Sequence, residues 1–267
     1  MQKIITGAGA RQPALLLLAL LLLLPGAAQA LDGGESAGVG HFGIVGTLSP
    51  DRNTIGQGFP AVQISPHWVL TAGHVAPAVG AIFANDYGMS GVAEIRSLRT
   101  LVPTVSPIAG AARDDMVLVR LAREIASPYF PILADEDFLP HRPFPAGRAT
   151  QVSNNPSLRK RRYAYCRLQW TARVPGYSLA LAYPEEGVMG GTVVSGDSGS
   201  PLFFEHLTDS NEQTILLGVA SAHLKEATGQ ILGLYTRLGA YRKRLEAAAA
   251  STGDVLVWTQ GAYPGLL

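Results

Sequence analysis

Short apolar runs separated by turn residues fill most of the chain beyond residue 30. The runs have the length of strands, and clusters of Gly, Pro, Asn and Asp lie between them. One later pattern is typical of a helix, from Leu238 to about Ala249, and it ends near Gly253. The sequence therefore predicts an all-β body followed by a C-terminal helix. The strands that it predicts most clearly are Ile44–Leu48, Phe59–Ile64, Trp68–Thr71, Met116–Leu121, Ile215–Ala222 and Ile231–Tyr235.

The composition is that of a protein with a sizeable core. The chain has 267 residues, of which 47% are hydrophobic and 15% charged, so it can form one large all-β domain or two smaller domains. Lys and Arg number 21 and Asp and Glu number 20, so no basic excess favours a nucleic-acid partner. The dense basic run Arg159–Arg162 is interpreted as a solvated loop, with a processing site as the alternative.

The N-terminal segment has the pattern of a secretion signal. Lys3 and Arg11 precede or flank an uninterrupted apolar run over Ala14–Leu24, and Ala28–Ala30 fits the small-x-small pattern of a signal-peptidase site. The run is too short to cross a bilayer comfortably, although a retained anchor is the alternative. We therefore expect residues 1–30 to be a signal peptide that is cleaved after Ala30, with export to the periplasm or medium and no retained membrane span.

Cys166 is the single cysteine, so an intramolecular disulfide cannot form. A secreted protein without disulfides fits a bacterial exporter better than an animal one. Cys166 lies in the alternating stretch Tyr163–Leu168 and is interpreted as a small strand residue rather than a catalytic thiol. His, Cys and Asp do not cluster at metal-ligand spacing, so the sequence predicts neither a metal site nor a cofactor.

Three segments carry the residue types that nucleophilic catalysis needs. His74 stands at the end of an apolar strand, Asp115 opens another, and Ser198 lies between glycines in a third segment. A serine hydroxyl needs a base within hydrogen-bond reach, and the base needs a carboxylate that holds its tautomer. Gly196 and Gly199 allow the loop to present backbone N–H groups to a developing oxyanion. The order His, Asp, Ser argues against an α/β-hydrolase, in which the serine comes first.

These motifs resemble those of the chymotrypsin/trypsin-like serine peptidases. The family's signatures are a Thr-Ala-Gly-His turn, an Asp that opens an apolar strand, and Gly-Asp-Ser-Gly-Gly-Pro, in which Ser200 here replaces the second glycine. His74 and Asp115 are 41 residues apart, and Asp115 and Ser198 are 83 apart, which is compatible with the family. The resemblance covers nearly all of residues 31–250 and includes the closing Gly233–Leu238 and the helix after it. It implies a secreted serine endopeptidase with protein or peptide substrates.

The resemblance also implies a fold. The family has two six-stranded antiparallel β-barrels and a C-terminal α-helix, with the active site in the cleft between the barrels. Residues 31–133 would form the N-terminal barrel with the histidine and the aspartate, and residues 134–250 the C-terminal barrel with the serine and the terminal helix. Residues 251–267 extend past the family's usual helix, and within them Asp254–Trp258 is interpreted as an added edge strand.

Further site residues follow from the same resemblance. The backbone N–H groups of Gly196 and Ser198 would form the oxyanion hole. Thr192 stands at the bottom of the primary pocket, where an Asp would attract Arg or Lys, so we expect a small or medium uncharged residue before the scissile bond, with Glu as second choice. The complete predicted pocket is Thr192, Ser221, Ala222, His223 and Gly233.

Activation is the last property that the resemblance implies. In the family, cleavage frees a new N-terminus, and its amino group pairs with the aspartate before the nucleophile. Cleavage after Ala30 exposes Leu31, so we expect Leu31 to pair with Asp197 and signal peptidase to act as the activator. An internal arginine that holds the loop is the alternative. For the whole protein, the alternative is a catalytically inactive homologue that binds peptides or partner proteins.

Overall fold

The computed structural model describes residues 35–36, 40–87, 91–100, 115–138, 147–154, 162–174, 177–184, 193–208 and 211–261. Within these ranges the chain forms strands and one α-helix, α1, over Arg242–Ala250. All six clearly predicted strands are present, and β4 has the predicted bounds. The strands are β1 Glu35–Ser36, β2 Val45–Ser49, β3 Phe59–Ser65, β4 Trp68–Thr71, β5 Ile82–Ala84, β6 Val92–Thr100, β7 Val117–Leu121, β8 Ile132–Leu133, β9 Gly147–Ser153, β10 Arg162–Val174, β11 Tyr177–Pro184, β12 Pro201–Thr208, β13 Asn211–Lys225 and β14 Ile231–Arg237.

Strands β2 to β7 form the first barrel. Their order is β2-β3-β4-β7-β6-β5, and β5 pairs back with β2, so the antiparallel ring is closed. Side chains alternate between the two faces of a strand, and the inward set fills the barrel with apolar groups. This core includes Leu48, Ala61, Val69, Phe83, Ile95, Val117 and Val119.

Strands β9 to β14 form the second barrel. The order β10-β11-β14-β13-β12-β9 returns to its start, because β9 also pairs with β10. β1 adds to the edge of β10, and β8 pairs in parallel with β13. The expected fold of two six-stranded antiparallel barrels with a C-terminal α-helix is therefore confirmed.

A large apolar cluster joins the two barrels to helix α1. It buries one side of β3, β4 and β7 against β12, β13 and the helix. Strand β4, which leads to His74, is therefore packed directly on the barrel that carries Ser198. The cluster includes Val62, Trp68, Leu70, Leu118, Phe203, Leu216, Val219, Leu238, Leu245 and Trp258.

The segment after helix α1 differs from its prediction. Asp254–Trp258 is not an edge strand, and its pairing with the described strands is a single bridge between Trp258 and Leu133. Strand β8 has two residues, so it offers the tail too little backbone for a ladder. The carboxylate of Asp254 instead accepts a hydrogen bond from Oγ of Ser65 at 2.7 Å, at the turn between β3 and β4.

Several sequence predictions fall outside the described residues. These are the signal segment 1–30, Leu31, Thr192, the basic residues 159–161 and the side chain of Cys166. Among the helices that the structure does describe, none has the length and apolar character needed to cross a membrane.

Candidate active site

Strand β4 ends at Thr71 and leads into a short turn, Gly73–Val75, that carries His74. A Cβ atom at Gly73 would lie 2.9 Å from Oδ1 of Asp115, so the glycine keeps this approach open. The backbone N–H of His74 donates to Oδ1 of Asp115 at 2.8 Å, and Nδ1 of the ring lies 2.5 Å from Oδ2. The turn therefore fixes the imidazole by two contacts with one carboxylate.

Asp115 lies just before β7, with 2% of its side chain exposed. Its Oδ2 also accepts a hydrogen bond from Oγ of Ser221 at 2.9 Å. Burial raises the pKa of Asp115, but the hydrogen bonds from His74 and Ser221 and the charge of His74 outweigh this effect and lower the pKa below its ordinary value. Asp115 is thus held as a carboxylate, the form that orients an imidazole through Nδ1–H.

Ser198 lies in the loop before β12, and its Oγ is 2.8 Å from Nε2 of His74. Gly196 and Gly199 have φ angles of +96° and +89°, in the left-handed region that favours glycine. A Cβ atom at Gly199 would lie 2.2 Å from the carbonyl oxygen of Pro60, so the loop rests on the first barrel. The structure therefore brings the predicted serine, histidine and aspartate into one chain of hydrogen bonds.

The backbone N–H groups of the serine loop divide into two sets. Those of Asp197 and Gly199 donate to backbone carbonyl oxygens at 3.1 and 2.8 Å. Those of Gly196 and Ser198, the two predicted oxyanion donors, have no acceptor within the described part of the chain. The loop thus leaves two N–H donors available, one on each side of Asp197 in the sequence and one of them that of Ser198 itself.

A pocket of about 210 Å³ opens beside Ser198. Its lining consists of residues 193–196, Ser198 and residues 220–223. Gly233 packs behind this lining, since a Cβ atom there would lie 2.8 Å from Cγ2 of Val193. Three of the predicted pocket residues therefore line this pocket, namely Ser221, Ala222 and His223.

Asp197, the residue before the serine, is fully buried. Its Oδ1 accepts a hydrogen bond from Oγ of Ser153 at 2.6 Å, and its Oδ2 accepts one from the N–H of Val194 at 2.9 Å. Strand β9, which carries Ser153, thus supports the loop from within the second barrel. The partner expected for Asp197 was Leu31, which is not among the described residues, so this pairing stays a prediction.

Two serines have roles that the sequence analysis did not assign. Ser221 was predicted only as a pocket wall, yet its hydroxyl donates to Asp115, and Ser153 was not singled out. The available signal was a polar residue inside the apolar run Ile215–Ala222, because a buried hydroxyl needs a hydrogen-bond partner. Elsewhere in the described ranges, His, Cys, Asp and Glu do not form a group of three suited to a metal ion.

Comparison with known proteins identifies the class to which this fold and site belong. A sequence model of one family, described as Trypsin, matches residues 33–245. The chain therefore belongs to the trypsin family, which confirms the expected relation to the chymotrypsin/trypsin-like serine peptidases. It is a serine-type hydrolase, and its family has proteins as substrates. A search of curated protein sequences found no match.

Proposed function

We propose that the protein is an active serine endopeptidase that hydrolyses peptide bonds through an acyl-enzyme intermediate. The observation that carries the proposal is the hydrogen-bond chain from Ser198 through His74 to Asp115, with distances of 2.8 and 2.5 Å. A buried carboxylate, an imidazole and a hydroxyl in this arrangement form the unit that activates a serine.

The three residues of this hydrogen-bonded unit act in sequence during the reaction. Nε2 of His74 takes the proton as Oγ of Ser198 attacks the scissile carbonyl, and Asp115 stabilises the imidazolium that forms. The free N–H groups of Gly196 and Ser198 donate to the oxyanion of the tetrahedral intermediate. His74 then gives its proton to the departing amine, and a water molecule hydrolyses the acyl-enzyme by the same route.

The pocket supports a specificity unlike that of trypsin. The described lining residues include no Asp or Glu, so this part of the pocket offers no counter-charge to Arg or Lys. We therefore expect a small or medium uncharged residue before the scissile bond, with Glu as second choice because His223 lines the pocket. A peptide library dominated by Arg or Lys at this position would contradict the proposal.

Labelling by a fluorophosphonate tests whether the serine is activated. The wild-type chain should be labelled at Ser198, and Ser198→Ala or His74→Ala should lower peptide hydrolysis at least about a thousandfold with the fold retained. Ser251→Ala is the control, because Ser251 is an exposed serine just after helix α1 and outside the pocket, and this variant should keep its labelling. Folded wild-type protein that resists labelling and cleaves no peptide would support the inactive homologue.

Export and activation complete the proposal. Cleavage after Ala30 would release a secreted or periplasmic enzyme, and the new amino group of Leu31 would pair with Asp197, whose burial makes it a suitable partner. N-terminal sequencing of the secreted protein should begin at Leu31. A mature chain with extra residues before Leu31 should hydrolyse peptides more slowly, and equal rates would show that the terminus is not the switch.

A further inference from the structure

Asp197 stands in the sequence between the two proposed oxyanion donors, Gly196 and Ser198. The peptide unit that links it to Ser198 contains both the carbonyl oxygen of Asp197 and the N–H of Ser198. That carbonyl oxygen accepts a hydrogen bond from the N–H of Ser200 at 2.9 Å. Because the C=O and the N–H of a trans peptide unit point in opposite directions, this bond directs the N–H of Ser198 away from Ser200. The position of Asp197 therefore sets the direction of one oxyanion donor.

The carboxylate of Asp197 is bound both from its own loop and from strand β9. The N–H of Val194, three residues earlier, donates to Oδ2 at 2.9 Å. Oγ of Ser153, 44 residues earlier, donates to Oδ1 at 2.6 Å. Both side chains of this second bond are buried, so bulk water does not compete for it. The bond from Val194 moves with the loop, whereas the bond from Ser153 ties the loop to the second barrel.

Strand β9 holds Ser153 in a fixed place beside the serine loop. Ser153 is the last residue of β9, and this strand pairs with β10 on one side and with β12 on the other. Gln151 is paired with Leu202, so two further residues of the same antiparallel register bring Ser153 opposite Ser200. The hydroxyl therefore extends from a strand that is held on both sides, toward the segment that carries the nucleophile.

We propose that Ser153 is a positioning residue, which sets the oxyanion hole by holding the side chain of Asp197. This inference rests on the proposed peptidase function and concerns the same site. Ser153 acts through Asp197, so its effect appears where the N–H of Ser198 binds the developing oxyanion and not where the bound substrate is recognised. The proposed pairing of Leu31 with Asp197 would support the same carboxylate from another side.

Ser153→Ala tests the role in the full chain, so that every preparation has the same N-terminus. The variant removes one hydrogen bond to a buried carboxylate, so kcat for peptide hydrolysis should fall about tenfold while KM stays within about twofold. Thr150→Val is the matched control, because Thr150 lies on the same strand, is equally buried and has an unpartnered hydroxyl in the described structure. Its side chain points to the opposite face of β9, so both constants should stay at their wild-type values.

Two inhibitors with one peptide sequence separate the positioning of the oxyanion hole from general damage to the fold. In a peptide trifluoromethyl ketone, Oγ of Ser198 adds to the carbonyl carbon, its proton passes to His74, and the ketone oxygen becomes an oxyanion. In the second inhibitor a CH2 group replaces the scissile carbonyl, so it binds the same subsites and forms no oxyanion. Ser153→Ala should weaken the ketone about tenfold and the second inhibitor less than about twofold. Equal weakening of both would overturn the proposal.

A conservative substitution tests whether the hydroxyl itself matters. Ser153→Thr keeps the donor, so its kcat should stay within about threefold of the wild-type value. A folded threonine variant as slow as Ser153→Ala would refute the role of the hydroxyl. If Ser153→Ala fails to fold, Ser153→Cys under reducing conditions takes its place. This variant keeps the size of the side chain with a weaker donor, and it should show the same selective weakening of the ketone.

Fluorophosphonate labelling of the wild type separates this inference from the proposed function. Wild-type enzyme that is labelled at Ser198, together with a Ser153→Ala variant of normal kcat and normal affinity for the ketone, refutes the role of Ser153 alone. Folded wild-type protein that is neither labelled nor active on any peptide refutes the peptidase proposal, and the role of Ser153 with it.

Discussion

Alanine at Gly199 should damage both the fold and the reactivity of Ser198. Gly199 has a φ angle of +89°, and a Cβ atom there would lie 2.2 Å from the carbonyl oxygen of Pro60 and 2.2 Å from Oγ1 of Thr71. These two atoms are joined by a hydrogen bond of 2.9 Å, and both belong to strands of the first barrel. Neither can yield without disturbing β3 or β4, so the loop that carries Ser198 must move instead.

The expected loss of stability is the sum of two effects. The left-handed backbone conformation costs a residue with a Cβ about 1–2 kcal/mol, and overpacking a tight contact costs about 1–3 kcal/mol. Together they predict a loss of about 2–5 kcal/mol for Gly199→Ala. Gly229→Ala is the matched control, because its φ is +88° but no described atom lies within 4 Å of the added Cβ. It should lose only the backbone part, about 1–2 kcal/mol.

Urea denaturation and fluorophosphonate labelling measure the two consequences separately. Gly199→Ala should be less stable than Gly229→Ala by about 1–3 kcal/mol. Its rate of labelling at Ser198 should fall at least about tenfold, whereas Gly229→Ala should be labelled like the wild type. Equal stabilities for the two variants, or normal labelling of Gly199→Ala, would refute the argument that the loop rests on the first barrel.

Three further predictions concern buried carboxylates. The lowered pKa of Asp115 stabilises the fold above the unfolded value of about 3.9. This contribution is lost as the pH falls through the pKa of Asp115 in the folded state. When the free energy of unfolding is measured against pH, Asp115→Asn should therefore lack the decrease that Asp115 causes in acid. Ser221→Ala removes one hydrogen bond that lowers this pKa, so acid unfolding should begin at a higher pH than in the wild type. Asp254→Ala leaves Oγ of Ser65 and the N–H of His67 without their acceptor, and denaturation should show a loss of about 2–4 kcal/mol.

The fold and the centre of the site were accessible to sequence reasoning because their signals are local. Strand β4 was predicted with its observed bounds, since an apolar run ends there at small residues before His74. Asp115 and Ser198 were found in the same way, from a carboxylate that opens a strand and a hydroxyl between glycines. Their assembly required only the family's topology, which brings these strand ends together.

The role of Ser221 was not accessible in this way. Its neighbours Ala220 and Ala222 pair with Tyr235 and Leu234, so the register of β13 shifts at Ser221. A bulge of this kind redirects a side chain and breaks the alternation from which inward and outward positions are predicted. The hydroxyl therefore reaches Asp115, 106 residues away in sequence, by a local irregularity that residue types alone do not reveal.

The contacts of the C-terminal segment were also not predictable from residue types, because their partners lie far away in the sequence. These contacts help to hold the two barrels together. With one cysteine, the chain has no internal disulfide to join them, yet the proposed chemistry needs His74 and Ser198, from different barrels, to stay 2.8 Å apart. Beside the active site, Gly199 lies close against β3 and β4, and this contact helps to fix the distance between Ser198 and His74. Away from the active site, the tail binds the β3–β4 turn of the first barrel through Asp254. Through the bridge at Trp258 it binds β8, which pairs with β13 of the second barrel. Together with the large apolar cluster, these contacts hold the barrels at separate places on the interface, so the loss of one contact leaves the others in place.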